Sequence, residues 1–245
     1  MESLSGWFER HIFPKAPVIT VTGSGGKTAL IWLLARTGRR GKVLVSPSTK
    51  MLVPPPEAGL WDRRSLRPPS PPLPGITLAG VFNDETGKLE ALPPGVLETA
   101  AGEYDLVLVE GDGSRGLPLK GWAAHEPVVP PFTTVTAAVM PLRPLGQPVS
   151  ADGIHRLPLF TALSGAAEGD ILRPGHLARV ITGTGGRGLF AAARGEKMLF
   201  FNQIDDGNLR QAEELASLLP GEFLSELRWI IAGSVMTDRA AVIWG

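Results

Sequence analysis

The chain has 245 residues, enough for one large α/β domain, and we expect a single domain over residues 1–245. Its 24 basic and 24 acidic side chains balance, which excludes a global field that would attract nucleic acid or an anionic membrane, so an anion site must be local. The absence of cysteine excludes disulfides, thiolate metal ligands and cysteine nucleophiles.

The N-terminal residues and the hydropathy predict a soluble, cytoplasmic protein. The first 15 residues mix acidic and aromatic side chains and lack the basic segment followed by an apolar run that is typical of a signal peptide. No apolar run approaches the ~20 residues that a membrane span needs. We therefore expect neither a membrane nor a nucleic acid as a partner.

Strand and helix patterns alternate along the chain after a short helix over residues 4–12. Strands are predicted at 18–21, 42–46, 76–80, 89–92, 104–110, 133–140, 197–201, 228–232 and 240–244. Helices are predicted at 29–35, 94–102, 155–163, 175–180 and 208–219. This alternation implies right-handed crossovers and a mostly parallel sheet with helices on both faces.

Two segments interrupt that pattern. The proline-rich stretch 54–75 predicts an extended, mobile surface loop. Residues 76–80 and 89–92 flank a turn at Thr86-Gly87 and predict a small antiparallel β-hairpin that decorates the sheet.

The segment VITVTGSGGKT, from Val18 to Thr28, has the layout of a phosphate-binding loop. A strand leads into a glycine-rich turn, and a helical pattern follows at once, so backbone N–H groups and the helix N-terminus can face an anion. In such a loop Lys27 reaches the β- and γ-phosphates and the Thr28 hydroxyl holds Mg²⁺. Val21 stands where the full motif has its first glycine, so the loop is closer to the T-G-x-x-G-K-T of Mur-type amide ligases. The candidate nucleotide contacts are Gly23, Ser24, Gly25, Gly26, Lys27 and Thr28.

A second candidate site is the acidic strand end YDLVLVEGDGS. Glu110 ends the strand and is a candidate Mg²⁺ ligand, direct or through water, while Asp112 is placed to support the metal or to orient a nucleophile. The alternative is that both acids only cap a turn. Together with the loop, this strand end predicts a three-layer, P-loop NTPase-like α/β fold with ATP or GTP and Mg²⁺ as ligands.

A polar cluster follows this strand end. Arg115 and Lys120 could stabilise phosphoryl charge, and His125 with Glu126 could act in acid–base chemistry, although each of them taken singly is an ordinary loop residue. His155 and Arg156 begin a helix, where positive side chains oppose the helix dipole and usually have an anionic partner.

Two further strand ends carry candidate ligand contacts. Thr49 and Lys50 follow the second strand and are placed to sense a γ-phosphate. In FFNQID, Asn202 and Asp205 occupy positions that read a base in GTPases, but Gln203 replaces the lysine of that motif, so base contact is plausible and guanine specificity is not indicated. The glycine-rich segment VITGTGGRGL, residues 180–189, lacks the preceding strand and the Lys-Thr pair, which favours a plain turn.

Taken in order, TGSGGKT, the Thr-Lys-Met after the second strand, LVEGDGSRGLPLK, HEPVVP, the His-Arg pair and the NQID strand end resemble the YqeC family. The resemblance covers nearly the whole chain, from about Val18 to about Leu219. It implies a P-loop NTPase-like accessory protein for the maturation of selenium-dependent molybdenum hydroxylases or their cofactor. It also implies that the functional positions of the family's motifs correspond to the residues named above, and to Gly113 and Pro127.

Three functions remain open on this basis. The first is an accessory protein that hydrolyses Mg·NTP and works with a molybdenum hydroxylase or its cofactor-maturation proteins. The second is a small-molecule kinase or ATP-dependent ligase, in which Lys120, His125 and Glu126 would hold the acceptor. The third is a module that binds a nucleotide or a molybdopterin-type phosphate without turning it over.

Overall fold

A computed structural model describes residues 1–14, 18–93, 95–204 and 209–245. The strands are β1 Glu2–Ser3, β2 Val18–Gly23, β3 Lys42–Pro47, β4 Lys50–Leu52, β5 Arg63–Ser65, β6 Gly75–Ala79, β7 Val81–Asn83, β8 Lys88–Glu90, β9 Leu106–Glu110, β10 Leu119–Lys120, β11 Val135–Pro141, β12 Ile154–His155, β13 Glu196–Asn202, β14 Leu227–Ser234 and β15 Arg239–Trp244. The helices are α1 Leu4–His11, α2 Lys27–Thr37, α3 Val96–Ala101, α4 Leu157–Ser164, α5 Pro174–Thr182, α6 Leu209–Ser217 and α7 Gly221–Ser225, with a 3₁₀ turn at Pro56–Ala58.

One ten-stranded sheet organises the chain, in the order β1-β15-β14-β13-β11-β2-β9-β3-β6-β5. Every pair from β14 to β5 is parallel, and only β15 and β1 run antiparallel to their neighbours. Strand β2 lies between β9 and β11, and all six of its residues are buried. A continuously buried run of this kind, rich in β-branched residues, is typical of a strand covered on both faces.

Helices cover both faces of the sheet, as the sequence predicts. On one face α1 and α2 pack on alternate residues of the central strands, among them Ile19, Val21 and Val139. On the other face α4, α5 and α6 pack against β11 and β13, and α3 packs against β9. The result is a three-layer α/β arrangement in which the carboxyl ends of β2, β9, β11 and β13 meet at one edge.

The predicted hairpin is wrong in its first strand. Residues 76–79 belong to β6, which is buried throughout and pairs with β3 in the main sheet. The hairpin around Thr86-Gly87 is formed by β7 and β8 instead, and β4 adds a third strand to it. The apolar run 76–80 has no alternating polar face, which is the mark of a buried parallel strand and not of a surface hairpin.

The proline-rich stretch is also more ordered than a surface loop. It contains the 3₁₀ turn and the short strand β5, which pairs with β6 at the edge of the sheet. Proline is tolerated around such an edge because no further strand needs its missing N–H group. Among the described helices, none has the length and apolar character needed to cross a membrane.

Candidate functional site

The turn between β2 and α2 is built so closely that its glycines have no room for side chains. Gly25 has φ +64, and a Cβ there would lie 2.3 Å from Cγ of Pro141. Gly26 has φ +132, and its Cβ would lie 2.1 Å from the Asn202 amide nitrogen. The loop is therefore held against the ends of β11 and β13, in a backbone conformation that glycine alone adopts easily.

The start of α2 is suited to an anion. Gly26 is the N-cap and supplies no side-chain hydrogen bond to the first turn of the helix, and no acidic residue occupies that turn. Within the described ranges, the Ser24 hydroxyl in the loop is fully buried and has no hydrogen-bond partner. Unsatisfied N–H groups at a helix N-terminus, with their positive dipole end, form the type of site that binds phosphate.

Lys27 folds back over the loop. Its ammonium donates a 2.8 Å hydrogen bond to the Gly23 carbonyl and lies 3.6 Å from the Asp112 carboxylate, and its side chain is only 4% exposed. The positive charge thus lies directly above the loop backbone.

Thr28 and Glu110 meet as the sequence predicts. The Thr28 hydroxyl donates to Oε2 of Glu110 across 2.6 Å, because β2 and β9 are neighbours with Val21 opposite Glu110. Burial raises the pKa of Glu110 above its usual value, and the charge of Lys27 and the bond from Thr28 offset only part of this effect.

These two oxygens suit a Mg²⁺ ion that arrives with a nucleotide. Among the described residues no group of three or more His, Cys, Asp or Glu side chains forms a metal-binding cluster. Nucleotide-bound Mg²⁺ uses one or two protein oxygens and takes its other ligands from phosphates and water. The Thr28–Glu110 pair matches that composition.

Asp112 braces the beginning of the loop. Its side chain is fully buried, and Oδ1 accepts from the Gly23 N–H at 3.1 Å. Its second oxygen accepts from Lys120 at 3.0 Å and from the Trp122 indole at 2.9 Å. Since protein groups engage both oxygens, Asp112 holds the loop in place instead of facing a ligand.

Lys120 does not occupy the predicted position against phosphate. Its side chain is 0% exposed, and its ammonium donates to Asp112, to the Gly113 carbonyl at 2.7 Å and to Glu126 at 3.0 Å. Glu126 also pairs with Arg156, so the expectation of an anionic partner for the His-Arg pair is confirmed. We call the series Lys27, Asp112, Lys120, Glu126 and Arg156 the ion-pair chain; it leads from the loop to the start of α4.

Within the described residues, four other candidates form no hydrogen bond or ion pair with the loop. His125 and Arg115 are exposed on turns, and Lys50 pairs with Glu90 at 2.6 Å in the small sheet of β4, β8 and β7. The half-buried Thr49 accepts a backbone bond from Ala91. None of these contacts places the side chain at the loop, so their predicted ligand roles stay predictions.

His155 ends β12 and lies beside the positive end of the ion-pair chain. Partial burial lowers its pKa, and the charges of Arg156, Arg115 and Lys120 lower it further. His155 thus lies among positive charges, and its predicted ligand role stays a prediction.

Asn202 contacts the loop from the end of β13. Its amide nitrogen donates to the Gly25 carbonyl at 2.8 Å, and its oxygen accepts from the Val235 N–H at 3.2 Å. Both ends of the amide therefore support the loop, and the predicted base contact stays a prediction. Asp205, the other predicted base contact, lies outside the described residues.

Two contacts at this edge were not predicted. Ser48 follows β3 and donates from its N–H (2.9 Å) and its hydroxyl (3.1 Å) to the Glu110 carbonyl, which fixes the end of β9. Gln203 has φ +63 and directs its amide nitrogen to within 3.4 Å of the Gly25 carbonyl. Their only sequence signal is that each is a polar residue directly after a buried strand.

The glycine-rich segment 180–189 forms a turn after the end of α5, as expected, because α5 ends at Thr182 and Gly183 caps it.

Fold and site together define an α/β protein in which a strand, a glycine-rich loop and a helix are bordered by a buried acidic strand end. The model of the family described as YqeC protein matches residues 19–158, more than half of the chain. The chain is 32% identical over 177 residues to a protein from Escherichia coli (strain K12) called "Uncharacterized protein YqeC", with 67% of each chain covered. The chain therefore belongs to the YqeC family. No solved structure matches it.

Proposed function

We propose that the protein is a P-loop NTPase-like protein that binds a Mg²⁺-bound nucleoside triphosphate on residues 23–28 and hydrolyses it. The observation that carries this proposal is the 2.6 Å bond between Thr28 and the buried Glu110, directly below a glycine loop that opens a helix. A hydroxyl and a carboxylate in that position are the protein ligands a nucleotide-bound Mg²⁺ requires.

The loop residues supply the remaining interactions. Backbone N–H groups of the loop and of the first turn of α2 would hold the phosphate oxygens, and Lys27 would exchange its bond to the Gly23 carbonyl for the β- and γ-phosphates. Lys27 and the metal would then neutralise the charge that develops during phosphoryl transfer. Asp112 and Asn202 keep the loop in position for this exchange.

Transfer to an acceptor is supported less well than hydrolysis. The residues expected to hold an acceptor include Lys120 and Glu126, and both are engaged in the ion-pair chain. A measurement of phosphate release distinguishes hydrolysis from the binding of a nucleotide or another phosphate without turnover.

The test is equilibrium binding of ATP and GTP, with and without Mg²⁺, to the wild-type protein and to Lys27→Ala. We expect Mg²⁺-dependent binding that is lost in Lys27→Ala and retained in Lys88→Ala, a matched control that removes an exposed lysine from β8. Phosphate release measured under the same conditions then separates hydrolysis from binding. Binding or turnover that survives in Lys27→Ala at the wild-type level would refute the proposal.

Membership of the YqeC family extends the proposal to a biological role. We propose that the nucleotide cycle assists the maturation of selenium-dependent molybdenum hydroxylases or their cofactor in the cytoplasm. In a host that makes such a hydroxylase, deletion of the gene should lower the hydroxylase activity per molecule of enzyme. The wild-type gene should restore it and the Lys27→Ala gene should not.

A further inference from the structure

The proposed function places the phosphates of the nucleotide on residues 23–28 but assigns no residues to its base and ribose. Of the two predicted base contacts, Asp205 lies outside the described residues, and the Asn202 amide is used between Gly25 and Val235. Other side chains close to the loop are therefore candidates for recognition of the nucleoside.

A cavity of about 720 Å³ shares one lining residue, Gln203, with the contacts of the loop. Gln203 lines it and also contacts the Gly25 carbonyl. On the adjacent side, Pro141 touches Gly25 and the chain continues from it to Arg143, a second lining residue. Gln203 and the segment from Pro141 to Arg143 thus connect the lining of the cavity to Gly25 of the loop.

The lining of the cavity suits a flat, uncharged ring system. Its walls are mainly proline and aliphatic side chains, namely Pro118, Leu119, Pro144, Pro148, Val149, Ile154 and Leu172. Amide and hydroxyl groups come from Gln147, Gln203 and Ser150, and Arg143 and Asp152 contribute one charge of each sign. Ligand sites of a few hundred Å³ with apolar walls and a few polar groups typically bury a molecule of nucleoside size.

The balance of charge argues against a second phosphorylated ligand in this cavity. An anion there would gain the attraction of Arg143 but would meet the repulsion of the Asp152 carboxylate. A base carries both hydrogen-bond donors and acceptors, which amides, a hydroxyl and a carboxylate can satisfy without a net charge.

We propose that this cavity holds the nucleoside of the nucleotide whose phosphates bind residues 23–28. The inference rests on the proposed function, since it assumes that the loop holds the phosphates. It assigns base and ribose recognition to the segment 143–153 and to Gln203, and not to Asn202.

Gly153 allows a precise test. It lines the cavity, and a Cβ added there would meet nothing within 4 Å, so Gly153→Leu places a side chain in open space without backbone strain. Ser150→Phe fills the cavity from a second position. Gly221→Leu is the matched control, because Gly221 is equally open and does not line the cavity.

The probes are the Mg²⁺ complexes of ATP, GTP and inorganic tripolyphosphate, titrated by calorimetry. In the wild-type protein the better nucleotide should bind about tenfold or more tighter than tripolyphosphate, equivalent to ~1.4 kcal/mol. Both cavity-filling variants should lower nucleotide affinity to that of tripolyphosphate and leave tripolyphosphate binding unchanged.

Two results would overturn the inference while leaving the proposed function intact. Nucleotide affinity unchanged in both Gly153→Leu and Ser150→Phe would place the nucleoside elsewhere. An equal loss for nucleotide and tripolyphosphate would mean that these positions act on phosphate binding and not on a nucleoside in the cavity. If neither probe binds the wild-type protein, the proposed function fails, and this inference fails with it.

Discussion

The Thr28 hydroxyl donates to the Glu110 carboxylate over 2.6 Å at the junction of two neighbouring strands. Glu110 is buried, and burial raises its pKa above the value of about 4.3 that a glutamate has in an unfolded chain. Metal binding needs the ionised carboxylate. If the proposed function holds, the same residue couples the binding of the Mg²⁺-bound nucleotide to pH and to folding.

We predict that Mg²⁺-dependent nucleotide binding strengthens as the pH rises through the raised pKa of Glu110 and is accompanied by proton release. Calorimetry in buffers of different ionisation enthalpy measures the protons released. The comparison with Glu110→Gln isolates this residue from the titration of the nucleotide itself. Equal proton release in the two proteins would contradict the assignment of Glu110 as the metal ligand.

In the ligand-free protein, the contribution of Glu110 to the free energy of unfolding should fall as the pH rises, whereas nucleotide binding should strengthen. Since the folded state binds this proton more tightly than the unfolded state, its contribution is fully present below about pH 4.3 and is lost as the pH rises through the folded pKa. Urea unfolding of the wild-type protein and of Glu110→Gln at several pH values measures it. As the pH rises from about 4.3 to the folded pKa of Glu110, the free energy of unfolding of the wild-type protein should fall relative to that of Glu110→Gln.

Gly25 and Gly59 form a matched pair for testing the closeness of the loop. Their φ angles are +64 and +63, but a Cβ on Gly59 meets nothing within 4 Å, whereas one on Gly25 meets Pro141 at 2.3 Å. Gly59→Ala should lower the free energy of unfolding by ~1 kcal/mol through backbone strain alone. Gly25→Ala should cost more and should also weaken Mg·nucleotide binding; equal effects of the two would show that the contact with Pro141 is easily relieved.

The sequence was sufficient to predict the parts of the site whose residues directly follow or end a recognisable strand. Lys27 and Thr28 follow β2, and Glu110 ends a strand with a clear buried pattern, so parallel pairing was enough to bring them to one edge. The long strands of the main sheet were predicted from their apolar runs and helices α1 to α6 from their period, whereas the short strands β1, β4, β5, β7, β10 and β12 were not predicted.

The sequence did not reveal contacts that depend on side-chain direction over long range. Asn202 reaches Gly25 from a strand that is separated from β2 by β11, and nothing in FFNQID indicates which way its amide points. Lys120 lies on a two-residue strand, too short to have a readable period, and its burial follows from Asp112 and Glu126 closing around it. Both are polar residues in loop-like sequence, where solvent exposure is the ordinary expectation.

The support given by Asn202 can be separated from base recognition. Asn202→Ala leaves the Gly25 carbonyl without this donor and the Val235 N–H without an acceptor, which we expect to cost ~1–3 kcal/mol for each group that stays buried and unpaired. ATP and GTP affinity should fall by the same factor, since the loop and not the base loses its support. Asn83→Ala, which removes an amide from the β7–β8 turn, is the control. A change in the ratio of ATP to GTP affinity would restore Asn202 as a base contact.

The ion-pair chain should depend most strongly on Asp112. Asp112→Asn removes the negative charge between Lys27 and Lys120, and Lys120 is 0% exposed, so a buried ammonium loses part of its compensation. Removing one partner of a buried pair costs roughly 3–5 kcal/mol, which urea unfolding would measure as a large shift of the midpoint. Glu226→Gln, at an exposed pair with Lys197, should leave the midpoint unchanged.

A double variant tests whether charge is the cause of this loss. If the loss arises from the uncompensated ammonium, adding Lys120→Met to Asp112→Asn should recover part of the stability, because the pair is then replaced by neutral groups of similar size. If the two substitutions simply add, the loss comes instead from whichever bond, to the Gly23 N–H or to the Trp122 indole, the single amide oxygen left by Asp112→Asn no longer accepts. Asp112 would then stabilise the loop through hydrogen bonds alone, and the charges of Asp112 and Lys120 would show no coupling free energy.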